Sequence, residues 1–429
     1  QHELAPIYSE ANVATDHNQI TMELMKTIAN RHGMACLLHE KPFAGINGSG
    51  KHNNWSIATD TGVNLLEPGE TPYENAQFLL FLVAVIKAVD EYQDLLRVSV
   101  ASAGNDHRLG ANEAPPAIVS IFLGEELTEI LEALETDSLY TGKDKSLMEI
   151  GANVLPHFPK DTTDRNRTSP FAFTGNKFEF RMLGSAFSIS GPNIVLNTIV
   201  AEILKRFADQ LEHSADFKGD LNALIKDTIK EHKRIIFNGN GYDDAWVVEA
   251  EKRGLSNLKT TTDALPAFVS EKSVEVFTRH KVFTEGELHS RYEILLENYA
   301  KTINIEALTM IDLVTQKVIP AVLSYQRDLA SLVAGKKALG ASLSTALEEG
   351  ILEKVSKLAE SLGKKLAVLS AETVAVKGIE DTLALSKAYR ERVFAAMNEL
   401  RLDVDELEMI VGSAYWPLPT YAEILSSVN

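Results

Sequence analysis

The chain has 429 residues, of which 45% are hydrophobic and 24% are charged, and its formal net charge at pH 7 is -18. This length suits two or three domains, and the composition is that of an ordinary soluble protein. The acidic balance argues against nucleic acid and anionic lipid, which bind cationic surfaces. The longest apolar run, Phe78–Ile86, is far shorter than the roughly 20 residues that cross a bilayer. We therefore expect small molecules and other protein subunits as partners, and no nucleic acid or membrane.

The cysteine content and the first residues bear on the compartment. Cys36 is the single cysteine, so no intrachain disulfide can form, which favours a reducing environment. The sequence opens at Gln1 without an initiator methionine and without the pattern of a signal peptide. We expect a cytoplasmic protein, and we expect further residues to precede Gln1.

The first predicted elements surround a glycine-rich segment, Lys41–Ser56. Apolar residues at helical spacing predict a helix over residues 13–33. Short apolar runs predict strands at Met34–Leu38 and at Trp55–Thr59, which would place the glycine-rich segment in a loop between two strands.

The middle of the chain alternates helices, strands and loops. A helix is predicted over Pro72–Glu91 and strands over Leu95–Ala103 and Ala117–Leu123, with a binding-type loop between the two strands. Residues 124–161 are acidic and then loop-like, which indicates an insertion. Two more helices are predicted, over Ile194–Phe207 and Leu221–Ile236.

Residues 177–182 alternate with a period of two, which predicts a strand. Lys177, Glu179 and Arg181 share one face, and the intervening apolar residues form the other. A charged face of this kind is also typical of a solvated surface, so the pattern alone leaves both interpretations open.

Beyond Glu287, long amphipathic helices replace the mixed pattern. Three stretches with apolar residues every three or four positions indicate a helical bundle, in which Pro320 would bend the first helix. We therefore predict two domains, residues 1–290 and residues 291–429, with the insertion near 124–161 in the first.

The glycine-rich segment nearly matches a phosphate loop. Gly45 and Gly50-Lys51 have the required spacing, but His52 stands where that motif needs Ser or Thr for magnesium, and a strand rather than a helix follows. A histidine here is a candidate metal ligand, and Glu3 and Glu179 could add carboxylates for Mg²⁺ or Mn²⁺. Arginines and lysines elsewhere could offset the charge of phosphates and carboxylates: Arg108, Arg167, Lys177 and Arg181.

Five segments in order resemble the glutamine synthetase family. They are Gln1-His2-Glu3, the segment Lys41–Ser56, the loop Arg108–Pro115, the pair Asn166-Arg167 and the strand Lys177–Arg181. The insertion and the helical C-terminal region are similar to the large type III branch. This resemblance implies an α+β fold: a catalytic domain of antiparallel strands with outer helices, followed by the C-terminal helical bundle.

The resemblance also implies site residues. Metal ligands would be Glu3, His52 and Glu179. Glutamate would be held by Asn47, Gly48, Arg108 and Arg181. The ATP site would include Ser56, Arg167 and Lys177, and Arg167 would also act in catalysis. Glu113 corresponds to a flap residue that takes a proton from ammonium.

The implied activity is ATP-dependent ligation of ammonia to L-glutamate, giving L-glutamine, ADP and phosphate through γ-glutamyl phosphate. The implied assembly is a ring-based homo-oligomer whose active sites are shared between subunits. Two alternatives stay open from the sequence: a related γ-glutamyl-amine ligase, and a non-catalytic relative with an assembly or regulatory role.

Overall fold

The computed structural model describes residues 4–43, 45–110, 114–138, 140, 147–148, 158–159, 168–340, 342–420 and 423–424. The chain divides into two compact units, Gln1–His289 and Ser290–Asn429. The first is mixed in secondary structure, and the second is helical throughout its described elements.

A four-stranded sheet lies in the first unit, with the strand order β1-β6-β5-β2. Its strands are β1 Gly50–Trp55, β2 Ile121–Phe122, β5 Phe171–Phe173 and β6 Phe178–Gly184. Strand β6 is antiparallel to both β1 and β5, whereas β2 pairs with β5 in parallel. The sheet is therefore mixed, where the resemblance led us to expect antiparallel strands.

The predicted insertion is described in part. It contains helix α5, Glu125–Thr136, and two short antiparallel strands, β3 Leu147–Met148 and β4 Phe158–Pro159. Of the remaining positions of this segment, only residues 124, 137, 138 and 140 are described.

The period-two strand prediction is confirmed by β6. Phe178, Phe180 and Met182 are fully buried, so the apolar face of the pattern is the core face. Phe171 of β5 stacks on Phe178 with ring centroids 4.7 Å apart. This aromatic layer fixes the strand from which Glu179 and Arg181 project.

Ten helices of the first unit are described. They are α1 Ala11–Arg31, α2 Ala76–Glu91, α3 Gln93–Val98, α4 Ala103–Asp106, α5 Glu125–Thr136, α6 Ser190–Leu211, α7 Phe217–His232, α8 Asp244–Lys252, α9 Thr261–Ala264 and α10 Glu271–Arg279. Helix α2 is the central one, because ten of its residues are buried and it packs against α6 and α7.

Helix α1 confirms the first predicted helix, but its apolar face is not part of the core. Ile20, Leu24 and Ile28 are 56%, 50% and 48% exposed, and no residue of the helix is buried. The periodicity therefore identified the element correctly without showing what it packs against.

Three strand predictions were wrong or displaced. Leu95–Ala103 contains helices α3 and the start of α4, because a short run that is buried on all sides loses the periodicity that separates a helix from a strand. Met34–Leu38 forms no strand, and Trp55 is the last residue of β1. The second half of the glycine-rich segment, from Gly50 to Trp55, therefore forms β1 itself.

The second unit is built from long helices. They are α11 Glu285–Leu313, which begins in the first unit, α12 Ile319–Leu339, α13 Ala346–Ala375, α14 Thr382–Ala388 and α15 Phe394–Glu408. Five-residue π-helical segments, Val314–Val318 and Tyr389–Val393, join α11 to α12 and α14 to α15. Helix α13 packs against α12 and α15.

The continuous helix Glu285–Leu339 is, by length and composition, able to cross a membrane, and among the described residues it is the one helix with that property. The mean hydropathy of its most apolar 18-residue window is 1.3. Core helices of soluble proteins pass the same test. Residues such as Val322 and Leu329 are buried in the unit, and the absence of a membrane partner stays a prediction.

Candidate functional site

The glycine-rich segment packs its backbone directly against Arg108. A β-carbon on Gly50 would overlap the Arg108 guanidinium, and one on Gly48 would lie 2.9 Å from Arg108 Cγ. Both contacts are too close for any side chain, so glycine is needed at these positions for steric reasons. The neighbouring Asn47 is exposed, where it is accessible to a ligand.

His52 and Glu179 meet where β1 and β6 pair irregularly. Lys51 pairs with Leu183 and Asn53 with Phe180, so β6 has one extra residue opposite His52. Such a bulge changes the direction of the side chains around it. His52 Nδ1 lies 2.7 Å from Glu179 Oε1, and the histidine side chain is 51% exposed.

Arg181 holds the second oxygen of the same carboxylate. Its Nε and Nη2 donate to Glu179 Oε2 at 3.1 and 2.7 Å. Burial would raise the pKa of Glu179, but the hydrogen bonds and charges of His52 and Arg181 outweigh it and lower the pKa to about 2. Glu179 is therefore ionised at any pH at which the protein would work.

Arg108 contacts the backbone of Arg181 and is almost completely buried. Its Nη2 donates to the Arg181 carbonyl at 3.1 Å, and its Nη1 donates to Asn105 Oδ1 at 3.4 Å. Burial lowers the pKa of Arg108 to about 10, although the charges of Glu40 and Tyr242 oppose the shift. The guanidinium therefore stays protonated at neutral pH.

Ser56 and Lys177 lie together at the opposite end of the β1–β6 pair, because Trp55 is paired with Phe178. Ser56 Oγ donates to Asn64 Oδ1 at 2.6 Å and lies 3.1 Å from the Asn176 carbonyl. These contacts tie the chain after β1 to the β5–β6 turn. The Lys177 ammonium has no hydrogen-bond or ion-pair partner within the described part of the chain.

Three predicted site residues, Glu3, Glu113 and Arg167, lie outside the described residues. Among the residues that are described, no group of three or more His, Cys, Asp or Glu side chains is placed to hold a metal ion. His52 and Glu179 thus form a pair of candidate ligands, and the roles assigned to all the site residues stay predictions.

Sequence reasoning missed one buried and one partly buried charged residue at the site. Glu40 is 3% exposed, and its Oε1 accepts a hydrogen bond from the Ala186 amide at 2.9 Å. Lys51 Nζ donates to the Ser185 carbonyl at 2.7 Å and to that of Phe187, and burial lowers the pKa of Lys51 to about 8 against the charge of Glu40. The only signal in the sequence was position, because Glu40 directly precedes the glycine-rich segment and Lys51 lies within it.

Two family models match the chain. The model described as "Glutamine synthetase, catalytic domain" matches residues 1–119, and the one described as "Glutamine synthetase C-terminal domain" matches residues 220–337. The first match contains the glycine-rich segment, His52 and Arg108.

The most similar relatives include three that align with nearly the whole chain. A "Glutamine synthetase" of Butyrivibrio fibrisolvens is 50% identical over 100% of this chain, and a "Type-3 glutamine synthetase" of Dictyostelium discoideum is 46% identical over 99%. A "Glutamine synthetase" of Bacteroides fragilis is 40% identical over 99%. The chain spans 61%, 59% and 60% of the length of these three relatives. The similarity over the whole chain and the two family models show that the chain belongs to the glutamine synthetase family.

Proposed function

We propose that the full-length protein joins ammonia to L-glutamate at the expense of ATP, giving L-glutamine, ADP and phosphate. The observation that carries this proposal is the cluster that His52 of the glycine-rich segment forms with Glu179, Arg181 and Arg108, in a chain whose relatives are named glutamine synthetases. The cluster combines metal-ligand chemistry with two cations suited to an acidic substrate.

His52 and Glu179 supply two of the ligands that a hard divalent cation such as Mg²⁺ or Mn²⁺ requires. An imidazole nitrogen and a carboxylate oxygen lie 2.7 Å apart, and Glu179 is ionised, as a ligand must be. Two ligands are too few for either ion, and Glu3 is the proposed additional one. The bound ion would offset the negative charge of the ATP phosphates.

Glutamate would lie against the wall made by Asn47, Gly48, Arg108 and Arg181. Arg108 is charged at neutral pH, and Arg181 uses Nε and Nη2 on Glu179. A carboxylate of the substrate is attracted to this pair, because guanidinium groups bind carboxylates through charge-assisted hydrogen bonds.

The ATP phosphates would be held by Arg167 and Lys177, with Ser56 close to the nucleotide. The Lys177 ammonium supports this role, since it has no partner among the described residues and is available there to an anion. Phosphorylation of the glutamate γ-carboxylate creates a better electrophile, and Arg167 would stabilise the charge on the transferring phosphoryl group. Glu113 would take the proton that ammonium must lose before it attacks.

The proposed architecture is a glutamine synthetase-type catalytic domain over residues 1–290, with outer helices around a largely antiparallel sheet, followed by a helical bundle over residues 291–429. We further propose a cytoplasmic homo-oligomer, ring-based, in which neighbouring subunits share active sites. The exposed apolar face of α1 is consistent with such packing partners.

The test is glutamine formation from glutamate, ammonia and ATP with Mg²⁺, measured on the full-length gene product. His52→Ala and Glu179→Ala should each reduce the rate at least about a hundredfold, because metal and substrate binding both depend on this pair. His213→Ala and Glu212→Ala, at exposed positions after α6, serve as matched controls and should leave the rate unchanged. Full activity in His52→Ala would contradict the metal assignment. Joining of glutamate to methylamine without use of ammonia would contradict the assignment of ammonia as the substrate and favour the γ-glutamyl-amine ligase.

A further inference from the structure

Glu40 hydrogen-bonds two separate parts of the site. Its backbone carbonyl accepts from the Ser49 amide at 2.7 Å, in the turn before β1. Its side-chain Oε1 accepts from the Ala186 amide at 2.9 Å, in the loop after β6. A single buried residue therefore joins the start of β1, an edge strand of the described sheet, to the loop that follows its partner β6.

Glycines surround the Glu40 carboxylate on two sides. A β-carbon on Gly184 would overlap Oε1 and Cγ of Glu40, and one on Gly104 would overlap Oε2. On Gly48, a β-carbon would lie 2.8 Å from the Glu40 carbonyl oxygen. Gly104 belongs to α4, the short helix that immediately precedes Arg108. Two different segments thus leave room for the Glu40 carboxylate, and a third leaves room for its backbone carbonyl.

Glu40 also supplies negative charge beside Arg108. Both side chains are at least 95% buried, and the charge of Glu40 favours the protonated form of the guanidinium. The neighbouring carboxylate, Glu179, is already paired with Arg181 and His52. A buried charge without an opposite charge is strongly unfavourable, so Arg108 depends on Glu40 to keep its position.

We propose that Glu40 is a positioning residue for glutamate binding: its buried carboxylate fixes Arg108 and the Gly48–Gly50 turn in one arrangement. The inference rests on the proposed function, because it takes Arg108 and Gly48 as groups that hold glutamate. Glu40 itself is shielded from substrate and acts through these neighbours.

Two substitutions separate the charge of Glu40 from its hydrogen bond. Glu40→Gln keeps an oxygen that accepts from the Ala186 amide but removes the charge, and Glu40→Ala removes both. In the full-length enzyme, Glu40→Gln should raise the KM for glutamate roughly tenfold while the KM for ATP stays within about twofold. Glu40→Ala should raise the KM for glutamate further. Glu202→Gln removes another fully buried carboxylate, which contacts Arg206, Arg279 and His280 instead, and should leave the KM for glutamate unchanged.

Equal changes in both KM values, or an unchanged KM for glutamate in Glu40→Gln, would overturn the positioning role.

Deuterium exchange tests the same contacts without an activity measurement. Peptides covering residues 45–51 and 184–188 should exchange faster in Glu40→Ala than in the wild type, and Glu40→Gln should keep the protection of Ala186. Unchanged exchange in Glu40→Ala overturns the inference. A wild type that makes no glutamine but shows the expected exchange and glutamate affinities would instead contradict the proposed function.

Discussion

Glu179 is the most tightly engaged side chain of the site, because its two oxygens have different partners. Oε1 lies against His52, and Oε2 accepts from Arg181. A metal ion bound by His52 and Glu179 has to replace the first contact but leaves the second in place. The Arg181 contact can therefore hold the carboxylate in position whether or not a metal ion is bound.

The low pKa of Glu179 predicts an acid-sensitive contribution to stability. The pKa falls from 4.5 to about 2 on folding, so the ionised carboxylate stabilises the folded protein above pH 4.5 and this contribution is lost as the pH falls towards 2. In a buffer with a metal chelator, the urea midpoint of the wild type should therefore exceed that of Glu179→Gln at pH 6, and the difference should shrink at pH 3.5. A difference that is the same at both pH values would contradict the assigned pKa.

Gly184 gives a second test at the residue scale. The three atoms nearest to a β-carbon at this position all belong to the Glu40 side chain. Gly184→Ala should therefore lower the free energy of unfolding by about 2 kcal/mol in the wild type, and by much less in Glu40→Ala, where those atoms are gone. Denaturant unfolding of the four proteins of this cycle measures the coupling.

The control for this cycle is Gly62→Ala, since no atom lies within 4 Å of a β-carbon there and its cost comes from the backbone alone. That cost should be the same with and without Glu40. Additive effects of Gly184→Ala and Glu40→Ala would show that the steric account is wrong.

At the scale of elements, the sequence predicted β6 well and β1 poorly. The alternation in Lys177–Met182 corresponds to one buried face, and a period of two is a local property of a strand. The position of β1 depends on pairing with β6, more than 120 residues away, and on a bulge that no local pattern encodes. Glu40 was missed for the same reason, because its side chain contacts Ala186 and its burial comes from tertiary packing.

The π-helical segment before Pro320 makes a further prediction at this scale. Proline lacks an amide donor and normally breaks a helix, but here it follows Val314–Val318 as the second residue of α12. Because the wider turn already accommodates the ring, Pro320→Ala should change the free energy of unfolding by less than about 1 kcal/mol.

Ala330→Pro is the matched control, at an exposed position in the middle of α12. It should cost about 3 kcal/mol or more, measured by circular dichroism during urea unfolding. A stabilisation of more than about 2 kcal/mol in Pro320→Ala would mean that the proline strains the helix.

At the scale of the whole molecule, the chain combines a mixed unit that carries the candidate site with a helical unit that has its own core. Long amphipathic stripes predicted the helical unit from sequence, since helix periodicity is strongest in long helices. The sequence did not predict that the apolar face of α1 would stay exposed, because a stripe reveals that a face is apolar and not what covers it.

Because the chain divides into two units, we expect a core substitution in the second unit to destabilise that unit and not the first. Leu362 of α13 is 1% exposed, so Leu362→Ala should leave a cavity and lower the free energy of unfolding by about 2–4 kcal/mol. Val368 on the same helix is 55% exposed, so Val368→Ala should lower it by less than about 0.5 kcal/mol.

Trp416 is the one tryptophan of the second unit, and Trp55 and Trp246 belong to the first. In a Trp416→Phe background, tryptophan fluorescence therefore reports the first unit alone, while circular dichroism at 222 nm reports the helices of both. Leu362→Ala should move part of the circular dichroism transition to lower urea and leave the fluorescence midpoint in place; if both signals shift together, the two units unfold as one cooperative body.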